Sequence, residues 1–339
     1  MRLVGWLRWL RTRTDRSDRA ESGSVAISGG PSAEAAVDEP GLADAPLGVA
    51  ATVGLRDPGL AAQLSRDGYA RLGSFLDADE VAVANAVFLE AQGRLSEPLG
   101  DSWFPTILLK DDAVRAFITE KLGAIIGPKL DRIFDPDALD VVRLDYSVKP
   151  PTAVSELGPH QDYALVDERR AQSLYIWIPL CDTDEVNGTL HVVAGSHRFA
   201  NRIRSRHVPA YFDEVLDLVH QAGTRLDCRA GELVVMVSGV VHYSPPNRSG
   251  GLRLAAHGIL TPTDVPLVFY FADDQTPAGQ VECYELDIER YVRSIHEGRP
   301  GPSVPMARFE DRPESTMSRD RFERGMAAYR ATAGVDASE

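Results

Sequence analysis

The chain is expected to be mainly β with flanking helices, folded around a jelly roll or barrel, and three observations predict this. From about residue 138 onward, short alternating runs replace helical spacing, as in antiparallel sheets. Turn signals such as "VNGT" and "RSGG" separate these runs at short intervals, the usual punctuation of double-sheet and barrel folds. Helical periodicity is confined to the stretches before residue 127 and after residue 285.

Taken in order, the first helical stretch is "DPGLAAQLSRDG", followed by a short strand at 69–72 and a longer helix beginning after Asp77. Asp77 and Glu80 stand in the N-cap and N3 relation of a capping box. A second long helix is expected over 112–126, ended by Gly127 and Pro128, because proline removes a helical N–H. In "VVRLDYSV", Val142, Leu144, Tyr146 and Val148 share one face, with Arg143, Asp145 and Ser147 on the other. "SLYIWIPL" separates Leu174, Ile176 and Ile178 from Tyr175 and Trp177 in the same way. "TLHVVAG", "ELVVMVSG", "VVHYS" and "LRLAAHGIL" continue the series, so the barrel core is expected over about 139–262. Beyond Thr261 the alternation fades, and helices are expected near 285–297 and 318–332. The domain organisation expected is a leader over 1–55, one domain over 56–300 and a helical tail over 301–339.

A length of 339 residues is ample for one large core. The net charge of −14 repels phosphate backbones and argues against a nucleic-acid partner. Cys181, Cys228 and Cys283 are odd in number and scattered, which suits free thiols in a reducing cytoplasm rather than a disulfide framework. The opening "MRLVGWLRWLRTRTDR" is broken by arginines well short of the roughly 20 apolar residues a span needs. It reads as a frayed or weakly amphipathic leader without membrane contact, and 17–54 as a disordered linker. The sequence carries no reading of oligomeric state.

"GPHQDYALVDE", residues 158–168, holds the only H-x-D among eight histidines. In an extended chain, residues two apart project to the same side, so His160 and Asp162 would meet at one point where a metal could sit. Two histidines and one carboxylate on one face of iron(II) leave other positions open for a cosubstrate and dioxygen. The candidate third ligand is His242 in "GVVHYSPPNRSGGLRLAAHGIL", with Ser244 on the same face; on the next run Arg253 shares a face with His257. A buried arginine needs an anion, and a dicarboxylate would supply one in bidentate form. His191 and His257 are further candidates to line the cavity, Asn187 and Gly188 read as a hairpin turn, and "GSHR" at 195–198 as a loop fixed after a strand. Arg198, Arg202, Arg204 and Arg206 form a basic run that reads as a solvated face or an anion clamp.

"DGYARLGSFLDADEV", "HQD", "SLYIWIPLCDTDEVNGTLHVVAGSHR" and "HYSPPNRSGGLR", in this order over about 58–262, resemble the phytanoyl-CoA dioxygenase family. Its members include ectoine hydroxylases and tailoring enzymes of bacterial secondary metabolism. The resemblance implies a double-stranded β-helix (jelly-roll, cupin-like) core and an iron(II)- and 2-oxoglutarate-dependent dioxygenase that oxidises a C–H bond of a small-molecule substrate and releases succinate and CO2. It implies His160, Asp162 and His242 as iron ligands, Arg253 as partner of the 2-oxoglutarate C5 carboxylate with Ser244 assisting, and Trp177 lining the cosubstrate pocket. O2 is the second cosubstrate. For a lysine that also contacts 2-oxoglutarate, Lys110 and Lys149 both remain candidates. The rival reading is a non-catalytic, cupin-like barrel that binds a small ligand or metal; Arg253 argues against it, since such a barrel needs no strand arginine beyond its last ligand.

Overall fold

The computed structural model describes residues 54–200, 203–207, 211–312 and 316–334. The leader, the linker up to residue 53 and Arg202 therefore lie outside the described residues. Helix α1 (Pro58–Asp67) is capped by the Asp57 side chain and stopped by Gly68 at φ 81°. Strand β1 (Tyr69–Leu72) follows, then helix α2 (Ala78–Gly93), which starts on the expected capping box between Asp77 and Glu80.

After the short β2 (Phe104–Pro105), helix α3 runs from Asp112 to Ile133, straight through Gly127 and Pro128. The expected stop is thus wrong, and packing explains why. Leu122, Ile126 and Leu130 form an i, i+4 stripe at 0–2% exposure, and each such side chain is worth roughly 1.5–3 kcal/mol. The carbonyl that Pro128 leaves without a helical donor belongs to Ala124, which is exposed and can turn to water.

The strands build two main sheets. A six-stranded antiparallel sheet runs in the order β1, β8 (Leu233–Val237), β5 (Leu174–Pro179), β10 (Arg253–Pro262), β3 (Leu139–Lys149), β2. A four-stranded sheet runs β4 (Leu157–His160), β9 (Val241–Ser244), β6 (Leu190–Val193), β7 (Thr224–Leu226). Both contribute to one apolar cluster, in which Leu190, Val192 and Leu226 join Ile178, Val234 and Ala255. This is the jelly-roll core.

The two faces of the large sheet divide the labour. Leu144 and Tyr146 face α2 and α3: the Tyr146 hydroxyl donates to Ala84 O at 2.7 Å and the Phe88 ring meets Tyr146 edge-on at 5.3 Å. On the opposite face lie Arg143, Asp145, Ser147 and Lys149 of β3, Tyr175 and Trp177 of β5, and Arg253 and His257 of β10. Strand alternation therefore brings polar side chains to one interior surface, between the sheets.

Past residue 262 a third sheet follows, β11 (Leu267–Phe271), β12 (Gln280–Leu286), β13 (Arg308–Asp311), flanked by α4 (Ile288–Glu297), and the described chain ends in α5 (Arg319–Ala333). The two helices fall close to expectation. The sheet was not expected, and β13 lies within the segment read as a helical tail. Strands β11 and β12 are buried on both faces, with Val268, Tyr270, Val281 and Cys283 in one cluster and Phe269, Phe271, Tyr284 and Leu286 in another, so they carry little apolar–polar alternation; β13 is a short, largely exposed edge strand.

Candidate metal and cosubstrate site

Antiparallel pairing sets His160 of β4 opposite His242 of β9, with ring centroids 4.2 Å apart. Each imidazole places its Nδ1 on a main-chain carbonyl two residues earlier: Gly158 O at 2.8 Å for His160 and Val240 O at 3.1 Å for His242. An Nδ1–H held this way leaves Nε2 as the lone-pair nitrogen. Both Nε2 atoms face Asp162, which lies just past the end of β4; His160 Nε2 is 3.8 Å from Oδ1 and His242 Nε2 is 3.8 Å from Oδ2. The three donor atoms lie within 4.8 Å of one another.

The protonation of the cluster suits a cation. Burial, joined by the neighbouring His242, pushes the His160 pKa down to about 4, and burial also brings His242 to about 4. Both rings are neutral at pH 7 and can donate to a metal. Burial raises the Asp162 pKa, opposed chiefly by His160, so this carboxylate too gains from a cation. Metal bonds of about 2.1 Å would set neighbouring donors roughly 3 Å apart, a modest contraction from the arrangement seen. The residues present fit iron(II).

Arg253 opens β10 and is 2% exposed. Its Nη1 donates to Gly188 O at 2.8 Å and Ser244 Oγ at 3.1 Å, and its Nη2 to Ser147 Oγ at 3.4 Å. Nε is buried without a partner, and among the described residues no carboxylate pairs with this guanidinium. Burial pushes its pKa down to about 10. The Trp177 ring centroid lies 5.6 Å from the guanidinium carbon. Ser244 donates in turn to Gly188 O at 2.7 Å.

Of the two candidate lysines, Lys110 is exposed, whereas Lys149 is fully buried and paired in register with Arg253. Its Nζ donates to Ser244 O at 2.8 Å and Pro245 O at 2.6 Å, so it braces the turn behind Ser244. Burial first, then the Arg253 charge, lower its pKa to about 6. A buried guanidinium with no bonded carboxylate, beside an amine whose pKa of about 6 leaves it mostly neutral at pH 7 until an anion draws a proton to it, makes this end of the barrel a site for an anion.

Several residues were missed or misread. Gly188, read only as a turn glycine, has φ 71°, and its carbonyl receives both Arg253 and Ser244; a Cβ there would lie 2.2 Å from Pro245 O. His257 does reach the interior, with Nδ1 at 2.9 Å from Asp145 Oδ1; the shared face of Arg143, Asp145 and Ser147 was the available signal. His191 stacks on Tyr243 at 4.8 Å, on the face of β6 away from Leu190 and Val192. Arg204 is neither solvated nor a free clamp: it is buried against Glu168.

Such a donor set in a jelly roll, beside a buried arginine without a carboxylate partner among the described residues, is the arrangement that non-haem iron(II)- and 2-oxoglutarate-dependent dioxygenases, with O2 as second cosubstrate, require. Comparison with known proteins narrows the class. The family model described as phytanoyl-CoA dioxygenase matches residues 64–255, more than half of the chain, and the chain belongs to that family. Phytanoyl-CoA dioxygenase 1 of Oryza sativa subsp. japonica is 28% identical over 116 residues, 32% of this chain and 40% of the rice protein; the chain thus spans about two fifths of that relative's length. Among solved structures, HygX from Streptomyces hygroscopicus with nickel and 2-oxoglutarate bound is 14% identical, covering 61% of this chain and 88% of its own, at a TM-score of 0.47. EctD from S. alaskensis, in its apoform, is 21% identical, with 62% and 79% covered, at a TM-score of 0.46. Among the described residues, no helix is long and apolar enough to cross a membrane.

Proposed function

We propose that His160, Asp162 and His242 hold one iron(II), that Arg253 and Ser244 bind the C5 carboxylate of 2-oxoglutarate, and that the protein hydroxylates or otherwise oxidises a C–H bond of a small organic substrate. Succinate and CO2 would be released, and secondary metabolism is the setting the family resemblance favours. The observation that carries this reading is the conjunction of two neutral Nε2 donors and a carboxylate within 4.8 Å with a buried, carboxylate-free Arg253. A non-catalytic barrel has a use for the first but none for the second.

Bound iron(II) supplies the activation of dioxygen coupled to oxidative decarboxylation of 2-oxoglutarate. The chain's own residues do the rest. Gly158 O and Val240 O fix the tautomer of each ligand histidine. Gly188 O and Ser244 Oγ hold the Arg253 fork so that its remaining N–H groups meet a carboxylate in a bidentate pair. Trp177 walls this end and keeps water off the ion pair. The test is succinate release from 2-oxoglutarate on adding iron(II), with or without the true substrate. His242→Ala and His160→Ala should abolish it; near-normal turnover in His242→Ala overturns the assignment.

A further inference from the structure

The loop joining β4 to β5 carries Asp162 yet contains no regular secondary structure from residue 161 to 173 apart from turns. A metal ligand on a loop needs outside support to stay within a fraction of an ångström of its productive place. We propose that Arg204 is a positioning residue of the metal centre: it locks the loop bearing Asp162 onto the turn that precedes His242, and metal affinity depends on that lock. The inference rests on the assignment of Asp162 and His242 as ligands.

Arg204 acts through three directions of its guanidinium and one of its main chain. Nε–H donates to the main-chain oxygen of Asp162 at 2.8 Å. Nη1–H donates to Glu168 Oε2 at 2.7 Å and Nη2–H to Glu168 Oε1. Its carbonyl accepts Ala164 N–H at 3.2 Å. Glu168 Oε1 also receives the hydroxyl of Ser238 at 2.6 Å, and Gln161 Nε2 donates to Gly239 O. Residues 161–168 are thereby tied at both ends to 238–239, and Val240, next in the chain, supplies the carbonyl that orients His242. One buried node sets the distance between Asp162 and His242.

The choice of an ion pair for this node is informative. Arg204 and Glu168 are both buried, at 7% and 9% exposure, and such a pair gains little net stability over apolar residues of similar size, because desolvation offsets the attraction. What it gives that apolar residues do not is direction: a planar fork fixes two carboxylate oxygens and leaves Nε–H aimed at Asp162.

Cobalt(II), whose visible absorption reports ligand geometry, is the probe, added to the full-length protein under conditions where folding is checked by circular dichroism. The double variant Arg204→Met/Glu168→Met avoids leaving a lone buried charge. It should remain folded while its cobalt(II) affinity falls about 10–100-fold, the usual effect of removing an outer partner of a ligand, with an altered visible band. Arg204→Lys, which keeps the charge but loses the fork, should show the same loss, and it decides the matter should the double variant not fold. Parental affinity and spectrum in a folded variant overturn the proposal. Asp162→Ala and His242→Ala run alongside: if these also bind cobalt(II) like the parent, the ligand assignment fails; if only they lose it, the lock alone fails.

Discussion

Replacing Arg253 by methionine should raise the stability of the ligand-free protein while removing most of its response to 2-oxoglutarate. Burial lowers the Arg253 pKa well below the ordinary arginine value, to about 10, and at about 1.4 kcal/mol per pH unit the buried charge costs the fold on the order of 3 kcal/mol. For a base with a depressed pKa, that cost is present at every pH below about 10 and vanishes only as the pH rises from there toward the ordinary arginine value. Methionine removes the charge and keeps much of the volume, and Gly188 O retains the Ser244 hydroxyl as donor. The cosubstrate, in contrast, loses the bidentate partner of a buried carboxylate, worth about 2–5 kcal/mol, or roughly 30-fold to a few thousand-fold in affinity. Thermal unfolding with cobalt(II), with and without 2-oxoglutarate, reads both effects. At 100 times its Kd the ligand should stabilise the parent by about 2.7 kcal/mol, roughly 5–10 °C for a domain of this size. The variant should start at or above the parental ligand-free Tm and gain no more than about a third of the parental shift at the same concentration. A variant with a lower ligand-free Tm and an intact 2-oxoglutarate shift would refute the reasoning, because Arg253 would then be structural.

His197 gives a pH prediction away from the metal. It is 3% exposed, with Nε2 3.2 Å from Ser65 O and Nδ1 buried without a partner, and burial pushes its pKa down to about 4. The unfolded chain takes up this proton first, so the stability is full above about pH 6.5 and falls by up to about 3 kcal/mol as the pH drops toward 4. Urea unfolding at pH 7.5 and 5 should show a smaller acid loss in His197→Gln than in the parent; equal losses would remove His197 from the account. A final prediction concerns the product. Asp162 places an anionic oxygen where a halide would need to sit, so mass spectrometry after turnover of a substrate in excess chloride should find oxygenated or dehydrogenated product, and a chlorinated product would show that Asp162 does not bind the metal.

What the sequence disclosed about this fold is local in origin. The capping box of Asp77 and Glu80 and the alternation in 139–149 and 174–179 are decided by neighbours in the chain, and they fall where expected. Asp162 meets His160 for the same reason, being two residues away. Pro128 defeated the local rule because three leucine and isoleucine contacts across the helix stripe outweighed one lost hydrogen bond. Strands β11 and β12 escaped notice because burial on both faces erases alternation, and β13 because four mostly charged residues on an exposed edge carry no strand pattern. The partners of Arg253 were legible only in part: Ser244 from its place after His242, but not Gly188, whose contribution is a carbonyl and therefore leaves no mark in residue type. Glu168 closes the same quoted stretch that contains H-x-D, yet nothing in it announces Arg204, 36 positions further on.

The distance between the two ligand histidines is set by the ladder between β4 and β9, where His160 stands opposite His242, rather than by the 82 positions of chain that separate them (242 − 160). Lengthening a connection that leaves and re-enters a sheet costs only a slowly growing entropy of closure. The intervening chain can therefore change in length without moving these two rings apart, provided that Arg204, within the stretch ahead of β7, keeps its bonds to Asp162 and Glu168. The spacing of the two imidazoles is thus a property of the sheet, fixed by which residues stand opposite one another and indifferent to how much chain lies between them.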